Sequence, residues 1–209
     1  MSPKIVDKQE RKKQIALVAL GVFAEKGFES ASISQIAEAA GIGKGTVYEY
    51  FDSKEELIHE AFMAWAESVW PAPNPLLEGV DDPEERLRRY VNASMDIFFS
   101  DEQSARLLVA AFQAILTVET SFTHHDTIRG VFSDFRRVIV DTLLDGVSKG
   151  VFRPEIAKDA EKIAINLAAY LDGIGLHYLM SKDDFDLKEQ VDAYVQELLE
   201  GLRPHHSLE

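Results

Sequence analysis

Apolar residues recur at helical spacing along nearly the whole chain, and this periodicity constrains the fold more than any other feature. Ile15, Val18, Ala19, Val22 and Phe23 occupy one stripe of a helix. The same spacing recurs in residues 53–69, 83–98, 104–116, 127–148, 160–178 and 187–202. The sequence shows no strand alternation, internal repeat or low-complexity tract. We therefore predict an all-α fold of about nine helices.

Glycine, proline and capping residues indicate where these helices begin and end. Gly27 follows Lys26 and predicts the end of the first helix, since glycine readily adopts the left-handed conformation found there. Capping boxes at Ser32–Gln35 and Ser53–Glu56 predict two helix starts. The clearest break lies at residues 71–75, where three prolines exclude a helix. Polar residues 119–126 predict a loop.

The composition excludes several classes of protein. The chain has 209 residues, of which 46% are hydrophobic and 28% charged, a mixture typical of a globular protein with a sizeable core. It has no cysteine, which excludes disulfides, cysteine-ligated zinc, iron–sulfur clusters and thiol catalysis. No uninterrupted apolar run approaches the ~18 residues of a membrane span, and the N-terminus is charged rather than signal-like. We expect a cytoplasmic protein with no membrane partner.

The formal net charge of -14 argues against nucleic-acid binding, but the charge is unevenly distributed. Residues 1–55 contain eight basic and eight acidic side chains, so the other 14 basic and 28 acidic ones lie in residues 56–209. The first thirteen residues contain five basic groups and two acidic groups. This asymmetry indicates two modules with different partners, and only the N-terminal module is compatible with DNA.

Residues 32–51 contain two short helical segments joined by the sequence Gly41-Ile42-Gly43. The small Ala37 allows a close helix crossing, and Gly41 can end the first segment in the left-handed conformation. Val47 and Phe51 are four residues apart, so both point to the inner side of the second segment. The pattern favours a helix-turn-helix. A plain helical hairpin is the alternative that spacing alone leaves open.

A wider set of segments occurs in a characteristic order. They are FAEKGF at 23–28, SISQIA at 32–37, AG at 40–41, GTVYEYF at 45–51 and SKEEL at 53–57. Through them, residues 9–62 resemble the N-terminal DNA-binding domain of TetR-family transcriptional regulators. Ile33 and Glu49 depart from the threonine and the histidine or tyrosine that are frequent there, which bears on DNA sequence preference. The resemblance covers about a quarter of the chain.

The resemblance implies a helix-turn-helix domain at residues 1–53 and a helical effector-binding and dimerisation domain at residues 54–207. The function it implies is a ligand-responsive DNA-binding regulator, usually a repressor. Residues 44–50 would enter the major groove of a double-stranded, pseudo-palindromic operator. The predicted DNA-binding residues are Ser32, Ser34, Lys44, Gly45, Thr46, Tyr48, Tyr50 and Lys54.

The predicted DNA-binding residues have different expected roles, and some of them could instead be purely structural. Lys44 and Thr46 are expected at base edges or phosphates, and the tyrosine hydroxyls at phosphate oxygens. A basic arm at residues 4–13 would add phosphate or minor-groove contacts. Ser32 could serve only as an N-cap, and Lys12 and Lys13 could be ordinary surface cations.

Two half-sites require a homodimer, and the last two helices are the candidates for its interface. Small residues in their apolar seams allow close helix approach. The predicted dimerisation residues are Ala164, Leu167, Leu171, Gly175, Tyr178, Val191, Tyr194, Val195 and Leu198. The alternative is that both seams face the core of the monomer.

The middle helices would enclose a pocket for a small-molecule effector. The candidate lining residues are Phe62, Trp65, Met95, Phe98, Phe99, Phe112, Gln113, Tyr170 and His177. Gln113 and His177 are the informative members, because a polar group in an apolar wall needs a partner. The acidic C-terminal part favours a cationic or neutral effector.

Two other function classes compete with a regulator. An enzyme is disfavoured because the sequence has no nucleophile elbow, phosphate loop or paired-histidine helix motif. His124 and His125 are adjacent, which is weak evidence for a metal site. We predict no catalytic residues, metal or cofactor. A helical adaptor that binds protein would explain the acidity but not the intact segment at residues 32–51.

Overall fold

The computed structural model describes residues 8–69, 75–100, 109 and 125–204. Within these ranges the chain forms α-helices and one 3₁₀ helix at Pro75–Leu77, and no strand. The α-helices are α1 (Lys8–Lys26), α2 (Ile33–Ala39), α3 (Lys44–Tyr48), α4 (Lys54–Val69), α5 (Pro83–Ser100), α6 (His125–Ser148), α7 (Ile156–Met180) and α8 (Leu187–Leu202). The predicted all-α fold is confirmed. The predicted helix at residues 104–116 lies, apart from residue 109, outside the described residues.

The chain divides into two compact units, the first comprising Met1–Pro71 and Asp101–Ile128. In its described part, α1 packs along α4, α2 packs against α1, and α3 packs against α2. Ile15, Leu20 and Phe23 of α1 are at most 2% exposed, as is Leu57 of α4. The structure thus groups α4 with the three N-terminal helices. The division predicted from the sequence assigns residues 54–207 to the second domain, so the two divisions differ in where α4 belongs.

The second unit comprises Ala72–Ser100 and Arg129–Glu209. Its core contains Leu87 of α5, Leu143 of α6, Leu167 of α7 and Leu199 of α8, all at most 1% exposed. An ion pair also joins the start of α5 to the end of α8, because Arg203 Nε lies 2.6 Å from Glu84 Oε1. Helical apolar stripes therefore meet in one core, as the periodicity of the sequence predicts.

Two glycines determine how the chain turns between α6 and α7. A Cβ at Gly146 would overlap the ring of Phe152, which is 1% exposed. Gly150 has φ +71°, the left-handed conformation that follows many helix ends. The Phe152 N–H donates to the Gly146 carbonyl at 3.0 Å. The absence of a side chain at Gly146 thus allows Phe152 to fold back onto α6.

The helix α7 is apolar on more than one face. Among the described residues, Ile156–Met180 is the one helix long and apolar enough to cross a membrane, by length and composition alone. Such a helix is weak evidence for a membrane span, because core helices of soluble proteins pass the same test. Here Ala164, Leu167 and Leu171 form part of the core of the second unit.

Candidate nucleic-acid interface

Capping interactions of Ser32 fix the start of α2. The Ser32 hydroxyl accepts a hydrogen bond from the Gln35 N–H at 3.3 Å, and Gln35 Oε1 accepts from the Ser32 N–H at 2.9 Å. The predicted capping box is therefore confirmed. Ile36 and Ala37 are buried on the inner face of this short helix. The start of α2 is consequently fixed at Ser32.

The turn between α2 and α3 uses the glycine that the sequence pattern predicts for it. Gly41 has φ +65°, a conformation that disfavours residues with a Cβ. The Ile42 N–H donates to the Ala37 carbonyl at 3.0 Å, which closes the end of α2. Gly43 is extended and caps α3. This turn brings α3 into contact with α2 in the arrangement of a helix-turn-helix.

The helix α3 has one buried side and one exposed side. Val47 is completely buried and Phe51, just after the helix, is 2% exposed. Lys44, Gly45 and Tyr48 are exposed, and 50% of Tyr48 is accessible. Tyrosine combines an aromatic ring with a polar hydroxyl, and Lys44 adds a cation beside it. The exposed side of α3 therefore has the amphipathic chemistry of a binding surface.

The remaining predicted DNA-binding residues surround α3. Ser34 is exposed and Thr46 is half-buried. Tyr50 is half-buried, and Lys8 Nζ lies 6.0 Å from the centroid of its ring. Lys54 Nζ donates to the Glu29 carbonyl at 3.3 Å and lies 4.4 Å from the Phe28 centroid. Lys54 thus has a structural role in addition to its predicted contact with phosphate.

A network of charged side chains joins α1 to the start of α4. Lys12 Nζ lies 3.2 Å from Glu56 Oε1 and 3.0 Å from Glu60 Oε1. Glu56 Oε2 also accepts from the Asp52 N–H at 2.6 Å, and the Glu56 N–H donates to Ser53 Oγ. Partial burial opposes the charge of Lys12, but the hydrogen bonds to Glu60 and Glu56 raise its pKa. The local sequence predicts the capping box at Ser53–Glu56 but not its partner on α1.

Parts of the predicted basic arm are neutralised within the chain. Lys12 pairs with two glutamates, and Lys13 Nζ lies 2.8 Å from Glu67 Oε2. Lys4 lies outside the described residues. The interpretation of Lys12 and Lys13 as cations of the helix surface therefore fits the structure better than a role in DNA contact. This pairing is invisible in the sequence because the partners are more than 40 residues apart.

The predicted effector-binding residues fall in both units. Phe62 and Trp65 of α4 are buried in the first unit, with ring centroids 5.9 Å apart. Met95 of α5 is buried in the second unit. The side chains of Phe98 and Phe99, and the residues Phe112 and Gln113, lie outside the described part. Tyr170 is half-buried and stacks on Tyr194 with a centroid distance of 3.7 Å.

His177 differs from its expected position in an apolar wall. It is exposed on α7 in the single chain. On this helix the core residues lie near positions 160, 164, 167, 171 and 175, and position 177 points to another side. The sequence alone did not reveal this position, because apolar residues cover a wide arc of the helix and do not show which part of it is buried.

Most of the predicted dimerisation seam is buried within one chain. Ala164, Leu167, Leu171, Gly175, Val191 and Val195 are buried. Tyr178, Tyr194 and Leu198 are half-buried. The buried residues are therefore occupied by the monomer core and unavailable to a second copy, as in the alternative interpretation of these seams. The large apolar residues of α7 that remain exposed are Ile165, Leu176 and Met180.

These elements define a class of protein. A capped helix, a glycine turn and a second short helix with an exposed aromatic residue constitute a helix-turn-helix DNA-binding protein, followed by a separate all-helical unit. Residues 15–61 match the family described as bacterial regulatory proteins, tetR family. Residues 83–203 match the C-terminal region of BetI-type transcriptional repressors.

Comparisons with individual proteins agree with these matches. The chain is 30% identical to the transcriptional regulator PksA of Bacillus subtilis over 215 residues, which cover 96% of this chain and 93% of PksA. It is 27% identical to the transcriptional repressor KstR2 of Mycobacterium tuberculosis, with 71% and 72% covered. The fatty acid degradation regulator FadR from Bacillus halodurans has a similar structure, with TM-score 0.74, 28% identity and coverage of 91% and 98%.

The chain belongs to the TetR family of transcriptional regulators. It is a ligand-responsive DNA-binding repressor, as predicted from the sequence. The match to residues 83–203 extends the assignment to the second unit, where the sequence offers no diagnostic motif.

Proposed function

We propose that this protein is a cytoplasmic homodimer that represses transcription by placing α3 of each subunit in the major groove of a pseudo-palindromic operator. The observation that carries the proposal is the two-sided character of α3. Val47 anchors the helix inside the first unit, while Lys44 and Tyr48 are presented to solvent. The relatives compared above are regulators, so the proposal includes no catalytic activity.

We assign different roles to the exposed groups of α3. Lys44 lies in the first turn of the helix and makes no hydrogen bond or ion pair with the described residues, so its ammonium is available to a base edge or phosphate. The Tyr48 hydroxyl donates to a phosphate oxygen and positions the helix. Among the described residues, no neighbouring atom lies within 4 Å of the place that a Cβ would occupy at Gly45, which leaves room for the backbone to approach DNA.

The proposed dimer uses the exposed side of α7. At about 100° per residue, Ile165, Leu176 and Met180 fall within an arc of about 60° on the helix surface. Their exposed fractions are 51%, 47% and 72%. Asp172 lies in the same stripe and would need a polar partner in the dimer. Apolar surface of this kind is stabilised when a second copy covers it.

Effector binding in the second unit would release the operator by shifting the population of conformations. A ligand can bind more tightly to a dimer conformation in which the α3 helices are wrongly spaced for the operator. It then weakens DNA binding by the difference between its binding free energies for that conformation and for the DNA-binding one. The candidate lining residues named from the sequence remain predictions. Met95 fits such a site best among those described in the second unit, because it is a buried, adaptable side chain.

An electrophoretic mobility shift with the DNA upstream of the encoding gene tests the proposal. We expect a specific complex that Lys44→Ala and Tyr48→Phe weaken and that a metabolite extract releases. A regulator without α3 in its interface would bind equally well after both substitutions. A helical adaptor or an enzyme would give no sequence-specific complex at all.

A further inference from the structure

A short basic segment interrupts the acidic second unit. Residues 129–137 read RGVFSDFRR and contain three arginines and one aspartate. In residues 56–209 as a whole, by contrast, acidic side chains outnumber basic ones two to one. All nine residues belong to α6. The segment is therefore a local concentration of positive charge on one helix.

The three arginines have different environments. Arg137 forms an ion pair with Asp134 on the flank of the helix. Arg129 and Arg136 make no hydrogen bond or ion pair with any described residue. Guanidinium groups carry five donors and stay charged at all physiological pH values. Both therefore keep a positive charge that no carboxylate of the described residues neutralises.

Helical geometry places these two guanidinium groups on one face. At about 100° per residue, Arg129, Ser133 and Arg136 fall within an arc of about 60°. The axial rise from Arg129 to Arg136 is about 10 Å. Two long arginine side chains can therefore reach a single ligand group that lies between them. The Ser133 hydroxyl lies between them as a further donor.

The same residues line a cleft. Arg129, Gly130, Phe132, Ser133 and Arg136 form the described lining of an open cavity of about 540 Å³. At Gly130 a Cβ would meet no atom of the described residues within 4 Å, so the space beside this glycine is open. Phe132 adds an apolar surface next to the charged groups. A small molecule with a charged group and an apolar part would satisfy both.

We propose that this cleft on α6 binds a phosphate group of the effector through Arg129, Arg136 and Ser133. Two guanidinium groups match the double charge and the several acceptor oxygens of a phosphate, whereas one would suffice for a carboxylate. The inference rests on the proposed function, because it assigns the effector a chemical class. It replaces the expectation of a cationic or neutral effector, which was drawn from the average charge of residues 56–209 and not from the charge at a site.

Isothermal titration with inorganic pyrophosphate at fixed ionic strength tests the assignment on the full chain. We expect saturable binding that Arg129→Gln and Arg136→Gln each weaken about ten-fold or more. Arg137→Gln removes the same charge one residue away and should leave binding within about two-fold. Acetate at equal ionic strength should bind about ten-fold more weakly than pyrophosphate, or weaker still. Equal affinity in wild type and the double variant, equal loss in Arg137→Gln, or equal binding of acetate would overturn the inference.

A mobility shift with the double variant separates this inference from the proposed function. Arg129→Gln with Arg136→Gln should leave DNA binding unchanged, and thermal unfolding should show the same midpoint as wild type. Loss of DNA binding in this variant would assign the arginines to the DNA interface and overturn the effector site. Absence of DNA binding in wild type would refute the proposed function, while normal DNA binding without pyrophosphate binding would refute only the inference about the effector.

Discussion

Lys12 Nζ lies 3.0 Å from Glu60 Oε1, and this contact joins α1 to α4 across the first unit. The same ammonium reaches Glu56 at 3.2 Å and lies 5.4 Å from the centroid of the Phe51 ring. Phe51 lies three residues after the end of α3 and is 2% exposed, so the same cation contacts α4 and the buried residue that follows α3. These contacts join the end of the helix-turn-helix segment to α1 and α4.

Replacing Lys12 by methionine is expected to lower the free energy of unfolding by about 1–2 kcal/mol. The Lys12 and Glu56 side chains are each 23% exposed, so removal leaves two partly buried glutamates without their cation. Urea denaturation at constant protein concentration measures the change. Lys13→Met is the matched control, with an expected loss below about 0.5 kcal/mol, because its partner Glu67 is 69% exposed. Equal losses would show that Lys12 has no special role.

Replacing Lys44 by alanine is expected to weaken operator binding about ten-fold and to reduce the slope of log affinity against log salt by about one. Lys44 is exposed at the start of α3, and its loss should not affect folding. Fluorescence anisotropy at several salt concentrations measures both quantities. Lys158→Ala removes an exposed lysine of the second unit and should change neither. An unchanged slope for Lys44→Ala would exclude this group from the DNA contact.

Two glycine substitutions should have opposite effects on stability. Gly41→Ala is expected to cost about 1 kcal/mol, because φ is +65° at this position. Gly45→Ala lies within α3 in open space and is expected to stabilise folding by about 0.5 kcal/mol while it weakens DNA binding. Denaturation and anisotropy on the same samples separate the two effects. Full DNA affinity in Gly45→Ala would argue against close backbone approach at this residue.

Replacing Leu176 by glutamate is expected to convert the dimer into a folded monomer. Leu176 is 47% exposed in the single chain, so a carboxylate there stays hydrated in the monomer. In a dimer that covers this residue, the buried charge would destabilise the interface. Sedimentation velocity measures the oligomeric state, and circular dichroism measures helix content. Leu167→Ala is the contrasting variant, since Leu167 is 1% exposed and should cost about 2–5 kcal/mol of stability. A wild-type chain that sediments as a monomer at micromolar concentration would refute the proposed dimer.

The Glu84–Arg203 pair predicts a loss of stability in acid. Hydrogen bonding from Arg203 lowers the pKa of Glu84 below its usual value of 4.5. The folded state therefore binds this proton less readily than the unfolded chain, and the pair stabilises folding above the unfolded pKa. That contribution disappears as the pH falls through the lowered pKa of the folded state. Unfolding measured from pH 6 down to pH 3 should show a shallower decline for Arg203→Gln than for wild type, and parallel curves would contradict the assignment.

Local sequence determined the elements of the DNA-binding segment. The capping residues Ser32 and Ser53 and the glycines at positions 27 and 41 specify helix ends through hydrogen bonds and backbone conformations that span only a few residues. The buried side of α3 followed from the spacing of Val47 and Phe51. Such features can be predicted because both partners of each interaction lie within one or two helical turns.

Tertiary structure decided which surfaces remain available to partners. The sequence of α7 shows apolar residues on a wide arc, and only packing determined that Leu167 and Leu171 lie in the core while Ile165 and Leu176 stay exposed. Packing also paired Lys12 with two glutamates of α4, and it left two arginines of α6 without carboxylate partners among the described residues. Burial and ion pairing depend on distances between residues far apart in the chain, so no local pattern specifies them. The sequence by itself determined the helices and the family, and the tertiary structure decided which of their side chains can meet DNA, a second copy or a ligand.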